Sequence, residues 1–137
     1  MPPDVRTRLS DIERAAAEIL TFAAGKTASL YAADRLLQRA VERDFEIIGE
    51  ALAALRDQDP ASIATIGDWP QIIAFRNLLV HRYWRVDHGR VWRMIAEDLP
   101  PLLSQVRQLL SAASPDSGDP TPGSGQSQEP EPSQDSQ

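Results

Sequence analysis

Residues 69–83 read Trp69-Pro70-Gln71-Ile72-Ile73-Ala74-Phe75-Arg76-Asn77-Leu78-Leu79-Val80-His81-Arg82-Tyr83. Asp68 is a good N-cap residue, and Pro70 falls in the first turn, where a missing N–H costs nothing. The stretch therefore reads as a helix from Asp68 to about Tyr83. With Ile72 at zero and an advance of ~100° per residue, Ile72, Phe75, Leu78, Leu79 and Val80 spread over one broad apolar arc. Arg76 at about 40° and Tyr83 at about 20° fall inside that arc. Asn77 at about 140° and His81 at about 180° lie beside and behind it.

Helical spacing continues on both sides of this segment, and nothing alternates like a strand. A first helix is expected from about Arg6 to Ala24, with Ile12, Ala15, Ala16, Ile19, Leu20 and Ala23 inward and Gly25 as its stop. A long second helix is expected to start near Ser29 and reach about Arg56. Its stripe is Leu30, Ala33, Leu37, Ala40, Val41, Ile48, Ala51, Leu52 and Leu55, and Asp57-Gln58-Asp59-Pro60 ends it. Residues 61–68 read as a loop or short turn. Asp87 can cap a last helix from about His88 to Ser111, kinked or split at Pro100-Pro101. Four helices joined by short loops predict an all-α fold, an antiparallel up-and-down four-helix bundle.

The chain of 137 residues has the size of one domain. Residues 114–137 contain no aromatic or aliphatic side chain, only small, polar and acidic residues with proline. Such a tail cannot bury enough apolar surface to offset its ordering entropy, so a helical domain over 1–113 and a disordered acidic tail over 114–137 are expected. The tail also carries five of the acids behind the net charge of −6, leaving 15 acids against 14 bases in the body. Overall acidity therefore does not exclude a nucleic-acid partner. The absence of cysteine excludes disulfides, thiolate metal sites and cysteine nucleophiles. There is no signal-like apolar region at the start and no 18-residue apolar run, so a cytoplasmic protein that does not enter membranes is expected. Two histidines without a supporting cluster give no reason to expect a metal or other cofactor, and no Gly-rich phosphate loop is present.

Arg76 is the anomaly. Its guanidinium stays charged, so within a core-facing arc it must be paired, hydrated or turned toward a ligand. Two readings stand: a buried ion pair, with Asp34 or Asp44, or an anion site at a cleft or subunit interface where the arginine fork grips a phosphate. His81 follows five residues later, and histidine can exchange a proton near neutral pH, as phosphodiester cleavage requires. On a regular helix the two side chains stand about 140° apart. Either the helix ends or distorts near His81, or two chains pool their groups. Arg76, Arg82, Arg85, Arg90 and Arg93 alternate with Tyr83, Trp84 and Trp92 against one acid, Asp87. Arginine for phosphates and aromatics for bases suit single-stranded RNA. Trp92 also fits the core, Trp84 fits either role, and His88 is expected to face solvent.

The run Phe75-Arg76-Asn77-Leu78-Leu79-Val80-His81-Arg82-Tyr83 resembles the Arg-x4-6-His signature of HEPN domains, in the Arg-Asn-x3-His-x-Tyr form of the HepT subgroup. Glu46-Ile47-Ile48-Gly49-Glu50-Ala51 is similar to that subgroup's IGEA stretch, and the lead-in from Trp69 and the exit through Val86-Asp87 to Val91-Trp92 agree with it. The resemblance covers about residues 5 to 110. It implies a metal-independent endoribonuclease that acts as a homodimer with its site composed at the interface, with Arg76, Asn77 and His81 as catalytic residues. It further implies the toxin of a type VII-like toxin–antitoxin pair, acting on RNA, with transfer RNA the expected class. Its partner would be an MntA-type nucleotidyltransferase antitoxin that adenylylates Tyr83. Arg82, Arg85, Arg90, Arg93 and Trp84 would contribute RNA contacts. HEPN bundles also serve as non-catalytic nucleotide-binding or scaffold subunits of nucleotidyltransferase complexes, and that alternative stands beside the first.

Overall fold

The computed structural model describes residues 1–112, so the tail expected over 114–137 lies outside the described residues. The described chain is helical, without strands: α1 (Pro3–Ala23), α2 (Ala28–Ala33), α3 (Arg35–Gln58), α4 (Pro60–Ile63), α5 (Trp69–His81), α6 (His88–Arg93) and α7 (Leu99–Ala112). A 3-10 turn (Tyr83–Arg85) precedes α6, and a π turn (Met94–Asp98) joins α6 to α7. None of these helices is long and apolar enough to cross a membrane.

α1, α3, α5 and the α6–α7 arm form the bundle. Arg107 donates to Glu13 at 3.1 Å, while Leu20 shares a surface pocket with Pro100 and Leu103, so α7 runs antiparallel to α1. α1 starts earlier than the apolar spacing suggests, because Pro2 is extended and Pro3 occupies the first turn, and Val5 and Leu9 thereby join the core. Phe45 of α3 and Phe75 of α5 meet edge to face at 5.3 Å in the centre.

The expected long second helix is two helices. Asp34 is extended (φ −113°, ψ 97°), closes α2, and accepts from Leu37 N at 3.0 Å as the N-cap of α3. The buried Gln38 amide donates to Ala32 O at 3.1 Å, a carbonyl near the end of α2, and to Tyr31 O at 2.8 Å, which also accepts from Asp34 N at 3.2 Å. The break turns Tyr31 fully inward and leaves Leu30 and Ala33, both expected inside, exposed. Its new start is capped by Thr27 rather than Ser29.

The interruption expected at Pro100-Pro101 is present and displaced to Met94–Asp98. Prolines lack an N–H and their rings press on the carbonyls four residues back, here those of Ala96 and Glu97. The wide π turn sits at those carbonyls, and the prolines fall in the first turn of α7.

Two seams carry buried acids. Asp44, almost fully buried, lines a 290 Å³ cavity between α1 and α3 with Asp11, Arg14 and Glu18. Burial first, then the hydrogen bond and charge of Glu18, pushes its carboxyl up to about 7. On α3, Glu42 accepts from Arg39 at 2.8 Å and faces His88 Nδ1 at 3.9 Å. Tyr31 packs against His88 and Trp92, and its phenol is pushed up by burial and then by the Glu42 charge. His88 is thus half-buried rather than solvent-facing, because α2 folds back over α6, while Trp92 lies on the core as expected.

Candidate nuclease site

α5 and the turn after it position every residue of the motif. Asp68 stands at the head of α5 in the left-handed region (φ 60°), a conformation open to Asp, and makes no side-chain cap bond. Gln71 N and Ile72 N instead bond to its carbonyl, at 3.1 and 3.2 Å. The helix ends after His81 rather than at Tyr83. Arg82 leaves helical geometry (φ −143°, ψ 47°), with its N–H on Leu78 O at 2.7 Å, and Tyr83–Arg85 wind into the 3-10 turn.

Arg76 lies where α5 and α3 come closest. A Cβ built on Gly49 would collide with the Arg76 Cβ and stand 2.8 Å from its Cγ, so glycine is what lets the arginine stem pass. Nη2 donates to Glu50 Oε2 and Nη1 to Asn77 Oδ1, both at 3.1 Å, while Nε is buried without a partner. The partner is therefore Glu50, not Asp34 or Asp44: Asp34 is spent on capping α3, and Asp44 faces α1. The pair is not a core ion pair, since the Glu50 side chain is 66 % exposed and that of Arg76 26 %. Such pairs contribute roughly 0–1 kcal/mol.

His81 is exposed and makes no side-chain hydrogen bond or ion pair among the described residues. Because α5 stays helical through it, Arg76 and His81 remain separated by ~140° of rotation and about 7.5 Å of rise. Tyr83 (61 % exposed) and Trp84 (68 %) form an edge-to-face pair at 5.5 Å, flanked by exposed Val80, Arg82 and Arg85. Asn77 engages Arg76 and not His81.

Arg90 and Arg93 do not join this surface. They line a 280 Å³ pocket with Gln71, Glu97 and Asp98, by the start of α5. Burial, then the Asp68 and Glu97 charges, raises the Asp98 carboxyl there. The run of arginines in sequence is thus divided by the fold into an exposed cluster at one end of α5 and a mixed-charge pocket at the other. Among the described residues, no group of three or more His, Cys, Asp or Glu side chains is placed to hold a metal ion. Glu50 and Gly49 were not among the expected site residues; a mid-helix glycine beside an acid, inside an otherwise apolar stripe, was their signal.

An all-helical bundle that presents Arg76 and His81 from one helix agrees with the HEPN class that the motif resembles. Within that class, a family model described as Ribonuclease HepT-like matches residues 12–109, most of the chain, and the chain belongs to that family. A protein of Methanocaldococcus jannaschii named as a candidate RNase is 27 % identical over 75 % of this chain and 94 % of its own length. Another candidate RNase, from Caldanaerobacter subterraneus subsp. tengcongensis, is 34 % identical over 56 % of this chain and 68 % of its own length. A candidate ribonuclease HepT of Thermococcus cleftensis is 33 % identical over the same shares. No solved structure matches the chain at the same level of significance. Family and relatives together support a ribonuclease function.

Proposed function

We propose that this chain is the toxin of a type VII-like toxin–antitoxin pair. On this reading it is a metal-independent endoribonuclease that cuts transfer RNA as a homodimer and is silenced when an MntA-type nucleotidyltransferase adenylylates Tyr83. The observation that carries the reading is the contrast along α5: Arg76 is held against α3, while His81 and Tyr83 stand free at the helix end. One regular helix keeps Arg76 and His81 apart, which favours a site completed by a second copy.

Arg76 binds the scissile phosphate and stabilises the charge that develops on it. The 2′-oxygen attacks the adjacent phosphorus and the 5′-oxygen leaves. His81 takes the proton of the 2′-hydroxyl or supplies one to the leaving oxygen. The products are a 2′,3′-cyclic phosphate and a 5′-hydroxyl, and no divalent metal is required. Asn77 shares the orientation of Arg76, while Arg82, Arg85 and Trp84 meet the RNA. The exposure of Tyr83 supports its modification, and AMP there adds bulk and negative charge that compete with the substrate phosphate.

The non-catalytic scaffold reading has one observation in its favour: Arg76 already has a carboxylate partner within its own chain. Tight induction of the chain alone separates the two. Growth arrest with cleaved tRNA is expected from the wild type and not from folded His81→Ala or Arg76→Ala. A folded, dimeric wild type that leaves growth and tRNA intact would establish the scaffold.

A further inference from the structure

Glu50 sits on the exposed side of α3, one residue before the core residue Ala51, and its only described partner is Arg76, 26 positions away. A pair this exposed adds little to stability, so what it can contribute is the orientation of the group it bonds. Three features converge on the same guanidinium. Gly49 admits the stem, the Glu50 carboxylate holds Nη2, and the Asn77 amide oxygen holds Nη1. Each terminal nitrogen carries two hydrogens, so one on Nη1 and one on Nη2 remain for another acceptor.

We propose that Glu50 is a positioning residue: by bonding Nη2 it fixes the plane of the Arg76 guanidinium so that the remaining hydrogens serve one phosphate of RNA. This rests on the ribonuclease reading. A carboxylate beside an arginine weakens its general pull on anions, so Glu50 does not serve ground-state affinity. It restricts rotation of the fork before substrate arrives, and that benefit appears where charge develops on the phosphate. Removing it should slow the chemical step without weakening binding.

The test compares full-length wild type, Glu50→Ala, Glu50→Gln and Arg76→Ala in single-turnover cleavage and equilibrium binding of tRNA. Glu50→Ala is expected to slow cleavage ~10–100-fold, the range that a misplaced group produces, with Kd unchanged or tighter. In Glu50→Gln the amide oxygen still accepts from Nη2, and most of the rate returns. Adding Glu50→Ala to Arg76→Ala should cost nothing further, since both changes act through one group. An unchanged or faster rate in folded Glu50→Ala, or a loss that Glu50→Gln does not repair, overturns the proposal. NMR of the Arg76 side chain reads the same property without activity. Separate Nη signals are expected in the wild type and Glu50→Gln, and averaged ones in Glu50→Ala. Averaged signals in a wild type that cuts RNA overturn the role of Glu50 alone. A held fork in a wild type that cuts nothing overturns the ribonuclease reading, and with it the phosphate role given to the fork.

Discussion

The two ends of the motif live in different surroundings. At Arg76, α5 presses on α3 so closely that a single methyl group at Gly49 would not fit, and each terminal guanidinium nitrogen has a partner. Seven residues later the chain has left the helix, and Tyr83 and Trp84 touch little besides each other. The seam fixes the root of the arginine because α5 and α3 are packed closely there, while the exposed Glu50 and Asn77 bond its tip. The turn can accept large partners because nothing must be displaced first. One short segment thus supplies a closely packed part and an accessible part of the proposed site.

The largest effect that would break this contrast belongs in the seam. Phe75→Ala removes a buried ring from the Phe45–Phe75 contact and should cost about 3–5 kcal/mol, read by urea denaturation. A loss below about 1 kcal/mol would mean that the seam is loose enough to close over the gap. Gly49→Ala should cost about 1–3 kcal/mol by overpacking, because the obstructing atoms lie at the root of Arg76 and cannot swing aside. It should also lower activity through displacement of the arginine.

The α1–α3 side of the same helix adds a pH dependence. The Asp44 carboxyl is pushed up to about 7 in the folded chain, against about 4 in an unfolded one. The folded state therefore keeps a proton that the unfolded state has lost. The corresponding stability is complete below pH ~4, falls as pH rises toward 7, and is level above. Thermal melts of Asp44→Asn relative to wild type should show this slope as a difference, and parallel curves would contradict it. The smallest stability effect belongs to the turn. Trp84→Ala should change stability by less than about 0.5 kcal/mol. RNA binding should nevertheless weaken by about 1–3 kcal/mol if a base stacks on the indole.

Apolar spacing located the long helices because each has a face that must leave water, and that requirement is written locally. The break at Asp34 was not legible: an apolar stripe runs through it, and the competing cap depends on Asp34 and Gln38 acting together. For the same reason the sequence did not say that Tyr31 turns inward or that His88 lies beneath it. The misfit of Arg76 could be seen from its position on the helix, but its partner could not. Asp34 and Asp44 lie on or just before the same helix as Glu50, and only the way α3 packs against α5 selects among them. The arginines were read as one patch because sequence distance stood in for spatial distance, and the turn at residues 83–85 sends Arg90 and Arg93 back along the bundle.

The missing side chain at position 49 also constrains descendant sequences. A Cβ at 49 meets first the Cβ of residue 76, which every residue but glycine carries, so a larger residue at 49 forces the helices apart whatever side chain stands at 76. A lineage that abandons cleavage and keeps the bundle as a scaffold would still have to keep this gap, or move α5 away from α3. A glycine at 49 thus reports, in any descendant sequence, how closely the two helices still approach, and not whether the chain still cuts RNA.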